Sequence, residues 1–266
     1  ELSKNQLHYL NMRRRHKRIV AVSRVSILLA FLFLWEFAAN TGLIDSFIFS
    51  SPSGILKTLA VMSGDGSLFL HTKVTLYETL VSFLLVIGIS FLTATLLWIF
   101  PTVSEILEPW LVVLNSLPKS ALAPLLIVWL GSGSCTIIVA GMSVAVFGSI
   151  ISMYTAFRET DSEKIKLIHT LGGGKREALC YVIFPSSLPS VISILKVNIG
   201  LCLVGVIIGE FLAAREGLGY LIIYGSQVFQ MDMVVMSIIL LCIMSAALYQ
   251  GVGILGKFLQ QQYHQH

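Results

Sequence analysis

Asn115, Ser116 and Lys119 lie inside one long apolar run, among Pro118 and Pro124; Lys196 and Glu210 lie inside another, and Glu36 follows Trp35 at the end of a third. A charge at the centre of a membrane helix costs about 2.5–3.5 kcal/mol on insertion scales, so such groups face a cavity or a partner rather than lipid. The two prolines also free backbone carbonyls, which need a polar cavity or a neighbouring helix to satisfy them. Asn115, Ser116 and Lys119 are therefore expected to line a conduit, the competing reading being a kink that lets helices pack. Glu210, preceded by Gly205 and Gly209, is expected on the same pathway, either lining a gate or capping a helix contact. Lys196 faces the conduit or, the favoured reading, snorkels along its stem to the interface. Glu36, beside an aromatic, marks an interface and is left out of the pathway.

None of these groups is arranged to make or break bonds. The chain has no HExxH or GxSxG pattern and no Asp/Glu/His cluster within its apolar runs, so it is not read as an enzyme and no metal is assigned. Cys135, Cys180, Cys202 and Cys242 are far apart, form no CxxC pair and are read as packing residues. The GxxxxGK[ST] pattern of a phosphate-binding loop is absent, and Gly172 to Gly174 before Lys175 lack its spacing. They are read as a turn or hinge, and no cofactor is assigned.

The elements that position these groups follow from composition. At 56% hydrophobic and 12% charged residues, the chain departs from the roughly 45–50% apolar and about 25% charged of soluble domains. Runs of about 20 apolar residues satisfy their own backbone as helices. An all-α, polytopic membrane protein is expected, with spans near 25–43, 76–100, 109–130, 136–157, 187–212 and 233–256. The first run follows a long basic stretch and is long enough to remain as a membrane helix rather than a cleaved signal. Orientation comes from Lys and Arg, which stay cytoplasmic in short loops. Lys4, Arg13, Arg14, Arg15, Lys17, Arg18 and Arg24 fill an N-terminal arm (1–24); Arg158, Lys164, Lys166, Lys175 and Arg176 fill the loop 158–186; Lys257 opens a tail (257–266). With six spans all three fall on one side, the cytoplasm. The arm is read as topogenic and as a contact for anionic lipid, with no nucleic-acid partner. On the other side, the turn formers around Ser51-Pro52-Ser53 and Asp65 bracket a short helix over 55–62, expected to lay its apolar residues against the membrane.

Loop 158–186 is patterned beyond the needs of a tether. Ile165, Ile168, Leu171, Leu179 and Val182 recur at helical spacing around the glycines, predicting helix, break and second helix. The order of Gly172, Val182, Phe184 and Pro185 resembles the "EAA" loop of ATP-binding-cassette importer permeases, with Lys166, Leu167 and Ile168 where the family has Glu-Ala-Ala. The resemblance extends over most of the chain through Trp35-Glu36, Ser51-Pro52-Ser53, Asn115-Ser116-Leu117-Pro118-Lys119, Gly209-Glu210 and Gly217-Leu218-Gly219-Tyr220. Together these are similar to the branch carrying sulfonates, taurine, nitrate, bicarbonate and thiamine precursors.

The resemblance implies a type I importer permease with six spans, multi-pass in a prokaryotic cell membrane. It implies a homodimer fed by an extracytoplasmic solute-binding protein and bound to two ATPase subunits, which hold the ATP. Docking to the ATPase would fall to Lys166, Ile168, Leu171, Gly172, Gly173 and Lys175. A channel or structural subunit without an ATPase is the competing reading.

Overall fold

The computed structural model describes residues 4–263, so residues 1–3 of the basic arm and 264–266 of the tail lie outside the described residues. The chain runs through α1 (Lys4–Asn40), α2 (Ser46–Phe49), α3 (Pro52–Gly64), α4 (Ser67–Ile99), α5 (Pro101–Ser116), α6 (Lys119–Leu130) and α7 (Ser134–Arg158). It continues through α8 (Ser162–Thr170), α9 (Lys175–Ala178), a π-helical turn (Leu179–Ile183), α10 (Phe184–Ala213), α11 (Leu218–Gln227) and α12 (Met231–Tyr263). Among the described residues there is no strand, in keeping with the all-α expectation. Among the described residues, five helices are long and apolar enough to cross a membrane, and α5 with α6 makes a sixth, broken, candidate.

Helix α7 sits between α4 and α10 because small residues let the backbones close. A Cβ on Gly205 would lie 2.8 Å from the Cα of Gly141, and one on Gly209 would lie 3.0 Å from the Cα of Ile137. A Cβ on Gly141 would meet Ser82 Oγ at 2.6 Å. Buried Phe83, Val86, Ala145, Ile199 and Cys202 fill the middle of this three-helix body. Phe91, Phe157 and Phe184 close its loop end, with ring centroids 5.0–6.0 Å apart. Helix α1 runs unbroken from the basic arm into the first span and is exposed along most of its described length.

The structure adds detail to two expectations. The run 109–130 is not one straight helix: α5 and α6 meet at 93°. Pro118 cannot donate to a preceding carbonyl, and Leu117 before it is forced into extended backbone (φ −62°, ψ 135°). The short helix does form, with Pro52 in its first turn and Ser51 accepting the Gly54 N–H at its cap. Part of its apolar surface packs inside the protein, while Leu56 and Val61 stay exposed. Ile55 and Met62 are buried against Leu218, Leu221 and Met236, because α11 and α12 offer that helix an apolar surface of its own.

The seam between α7 and α10 predicts a contrast in stability. Gly205→Leu should destabilise the purified chain by about 1–3 kcal/mol through overpacking, lowering its thermal midpoint. Gly200→Ala, with nothing within 4 Å of the new methyl, should leave that midpoint within experimental error.

Candidate functional site

Helix α4 presents one buried polar face along its length: Thr75, Glu78, Thr79, Ser82 and Ser90 are all inaccessible to solvent. Their positions repeat at helical spacing, so one stripe of the helix carries them. This stripe receives the start of α11, a helix that begins inside the protein and whose first N–H groups have no helical partner. Three consecutive amides are taken up by three side chains. Gly217 N–H donates to His71 Nδ1 (2.9 Å), Leu218 N–H to Thr75 Oγ1 (2.8 Å) and Gly219 N–H to Glu210 Oε2 (2.6 Å). The Thr75 hydroxyl in turn donates to Glu210 Oε1 (2.6 Å), so both carboxyl oxygens of Glu210 are engaged.

Glu210 is only 1% exposed and stays close to the α11 start because Gly217 and Gly219 leave room for it. A Cβ at Gly217, whose φ is +117°, or at Gly219 would collide with the carboxylate. Of the two roles open to Glu210, this arrangement is the cap of a helix contact, and a carboxylate at a helix N-terminus is also favoured by the helix dipole. His71, Thr75 and Glu78 escaped the sequence reading. The signal was the four-residue spacing of His71, Thr75 and Thr79 within an otherwise apolar run.

The other pathway candidates gather at the α5–α6 bend, apart from Glu210. Pro118 leaves the Leu114 carbonyl without its helical donor, and Lys119 Nζ donates to that oxygen instead. The same ammonium stands 5.1 Å from the centroid of the Phe147 ring, a cation–π arrangement. Asn115 and Ser116 are exposed on α5; Asn115 faces Gly148 of α7, and Ser116 donates to the Val112 carbonyl (2.9 Å). Lys196 lies half-buried over the Tyr249 ring (5.8 Å), between α10 and α12.

Loop 158–186 forms a helical hairpin. Asp161 caps α8 by accepting the Glu163 N–H (2.9 Å). The helix stops at Gly172, whose φ of +84° is disfavoured for other residues. Gly173 is packed against Ile168, where a Cβ would come within 2.6 Å of Cγ2, and its N–H donates to the Ile168 carbonyl (2.9 Å). Gly174 N–H donates to Glu177 (2.8 Å), starting α9. Lys175 Nζ donates to the Ile99 carbonyl (2.9 Å), which fastens the turn to the end of α4.

Ile165 packs inward onto the aromatic cluster, whereas Leu167, Leu171 and Tyr181 are 58%, 77% and 75% exposed. Lys166 is exposed beside them. The hairpin is thus held rigidly to the membrane body while presenting apolar side chains outward.

A multi-pass helical bundle with a stiff projecting hairpin and a capped, internally starting helix defines a transporter permease of the type I importer fold. The permease of the inward-facing MetNI methionine ABC transporter superposes with a TM-score of 0.60 at 18% identity, covering 71% of this chain and 93% of that one. Residues 86–264 match the family model described as binding-protein-dependent transport system inner membrane component, and the chain belongs to that family. A probable ABC transporter permease protein of Haemophilus influenzae is 30% identical over 221 residues, 83% of this chain and 89% of that protein. The taurine transport system permease protein of Escherichia coli is 24% identical over 239 residues, 88% and 86% of the two chains.

The three-amide capture at α11 gives a measurable expectation. Replacing Glu210 with Ala removes charge-assisted bonds of about 1.5–3 kcal/mol. Amide hydrogen exchange at residues 217–221 should accelerate by more than tenfold while exchange in α7 is unchanged; equal protection in the variant would show that the carboxylate does not hold this helix.

Proposed function

We propose that this chain forms the membrane path of an ATP-driven importer, as a homodimer in which each copy seats its α8–α9 hairpin in a separate ATPase subunit. An extracytoplasmic binding protein delivers a small solute to the opposite end, of the sulfonate or nitrate class or a thiamine-precursor type. The hairpin is the observation that carries the reading. Its turn is fixed by Gly172 and Gly173 and tied by Lys175 to the end of α4. Leu167 and Leu171 are left exposed on a face that water does not favour. A lever with an apolar tip suits transmission of force from a partner that closes on it.

In this account ATP is bound and hydrolysed by the partner, and the permease converts the movement of the hairpin into alternating access. The α5–α6 bend supports a role in the conduit, because Lys119 and Asn115 bring a positive charge and an amide to a break in the helix. A cation there attracts an anionic solute. The taurine relative is in keeping with a sulfonate-bearing solute.

The coupling role is tested by capture of the ATPase subunit. Leu171→Asp places a charge at the exposed tip and should reduce co-purification of the ATPase at least tenfold without changing the thermal midpoint of the permease. Undiminished capture would remove the hairpin from the interface. Lys119→Met is expected to lower solute uptake several-fold while leaving capture intact, and unchanged uptake would take Lys119 out of the conduit.

A further inference from the structure

Glu78 stands on the same buried stripe of α4 as Thr75 and is fully inaccessible to solvent, and Glu210 beside it is 1% exposed. The two carboxyls are in hydrogen-bond contact with each other. Two carboxylates cannot make such a bond, because an ionised carboxyl only accepts. With both ionised, Glu78 and Glu210 would meet without a donor between them, and the Glu78 oxygens are sealed from water. Like charges held this close out of water do not both ionise, so one of the pair keeps a proton.

The surroundings decide which one. Glu210 already accepts at both oxygens, from the Thr75 hydroxyl (2.6 Å) and the Gly219 N–H (2.6 Å). Its charge also meets the N-terminus of α11, where the helix dipole favours an anion. Glu78 has neither advantage; apart from Glu210, its side-chain partner is the Ser134 hydroxyl at the start of α7. Among the described residues, the other titratable groups nearby are His71 on α4, Arg215 and Glu216 in the turn before α11, and Tyr220 on α11, stacked on His71. His71 Nδ1 accepts the Gly217 N–H and is therefore the unprotonated ring nitrogen. Arg215 and Glu216 are exposed on the wall of a cavity, and Glu216 adds a further negative charge to the surroundings of Glu78.

We propose that Glu78 and Glu210 form a proton-binding site, in which one proton, carried on Glu78 and donated to Glu210, completes the lock that holds the start of α11 to α4 and α10. A hydrogen bond from O–H to a carboxylate is among the stronger kinds, and it adds to the donors that already hold Glu210 in place. The proton has a route to water. Ser134 lines a cavity of about 400 Å³ together with Arg215 and Glu216. Because the Glu78 oxygens have no surface of their own there, exchange passes through the Ser134 hydroxyl, which accepts the proton from Glu78 and releases its own outward. Once the proton has left, Glu78 is a second carboxylate against Glu210, and their repulsion loosens α11. The lock therefore holds while the proton is bound and weakens as pH rises. Protonation of His71 at acid pH weakens it from the other side, by removing the acceptor of the Gly217 N–H. The site belongs to the helical bundle and does not rest on the importer reading.

The test is infrared spectroscopy of the purified full chain in an ester-free detergent, read beside amide hydrogen exchange corrected for the intrinsic pH dependence of its rate. At neutral pH the chain should show the carbonyl stretch of a protonated carboxyl, a form that carboxyls in water have left well below that pH. The band should vanish as pH is raised, and protection of residues 217–221 should fall with it by roughly tenfold or more, the loss of one charge-assisted hydrogen bond. Glu78→Gln keeps the shape and an N–H donor toward Glu210 but cannot titrate. It should lack the band and keep its protection at residues 217–221 level over the same alkaline range. Absence of the band from the unaltered chain at neutral pH overturns the proposal, whether or not the variant folds. A band that survives Glu78→Gln, or protection that falls with pH equally in both proteins, overturns it as well.

Discussion

Every backbone amide and carbonyl inside hydrocarbon must find its partner within the protein, at a cost of several kcal/mol for each one that does not. A straight helix meets this demand unaided. This chain departs from straight helices at three places, and at each a specific group supplies what the break removes. Lys119 replaces the donor that Pro118 lacks at the Leu114 carbonyl. His71, Thr75 and Glu210 take the free amides at the start of α11. Before Pro185, the chain widens into a π-helical turn in which Phe184 N–H reaches back to the Leu179 carbonyl. Such turns are rare and recur at functional positions.

These three breaks divide the molecule by task. The seam of Gly141, Gly205 and Gly209 locks α4, α7 and α10 into one body. The bend at Leu117 and Pro118 sets Asn115 and Lys119 against Gly148 and Phe147 of α7. The π-helical turn joins the hairpin to α10, and Lys175 ties it to the end of α4. At the far end α11 is pinned by side chains from both α4 and α10. The hairpin and α11 are thus tied to the same two helices at opposite ends of the bundle.

Much of this was legible in the residues. Apolar runs of span length announced the membrane helices, and the periodic Ile165, Ile168 and Leu171 around three glycines announced a helical hairpin. What stayed hidden depends on tertiary partners. Proline in a membrane helix predicts a disturbance but not its angle, so the 93° break at Pro118 read as a kink within one span. The helix around Ile55 reads as amphipathic, yet nothing local shows that α11 and α12 will cover part of its apolar face. Glu78 was missed because one carboxylate hardly lowers the mean hydropathy of a helix of 33 residues. The helical spacing of His71, Thr75 and Glu78 was the available clue, and its meaning depends on where the amides of residues 217–219 come to rest.

In the importer proposed above, solute crosses only when a partner's ATP cycle moves the hairpin. Its most direct test is solute flux through the chain reconstituted in liposomes with its ATPase and binding protein, using taurine, ethanesulfonate and nitrate as labelled solutes. Uptake of at least one, against its gradient and dependent on both ATP and the binding protein, is the predicted result. Rapid downhill flux through the permease alone, indifferent to ATP, would contradict the account and make the chain a channel.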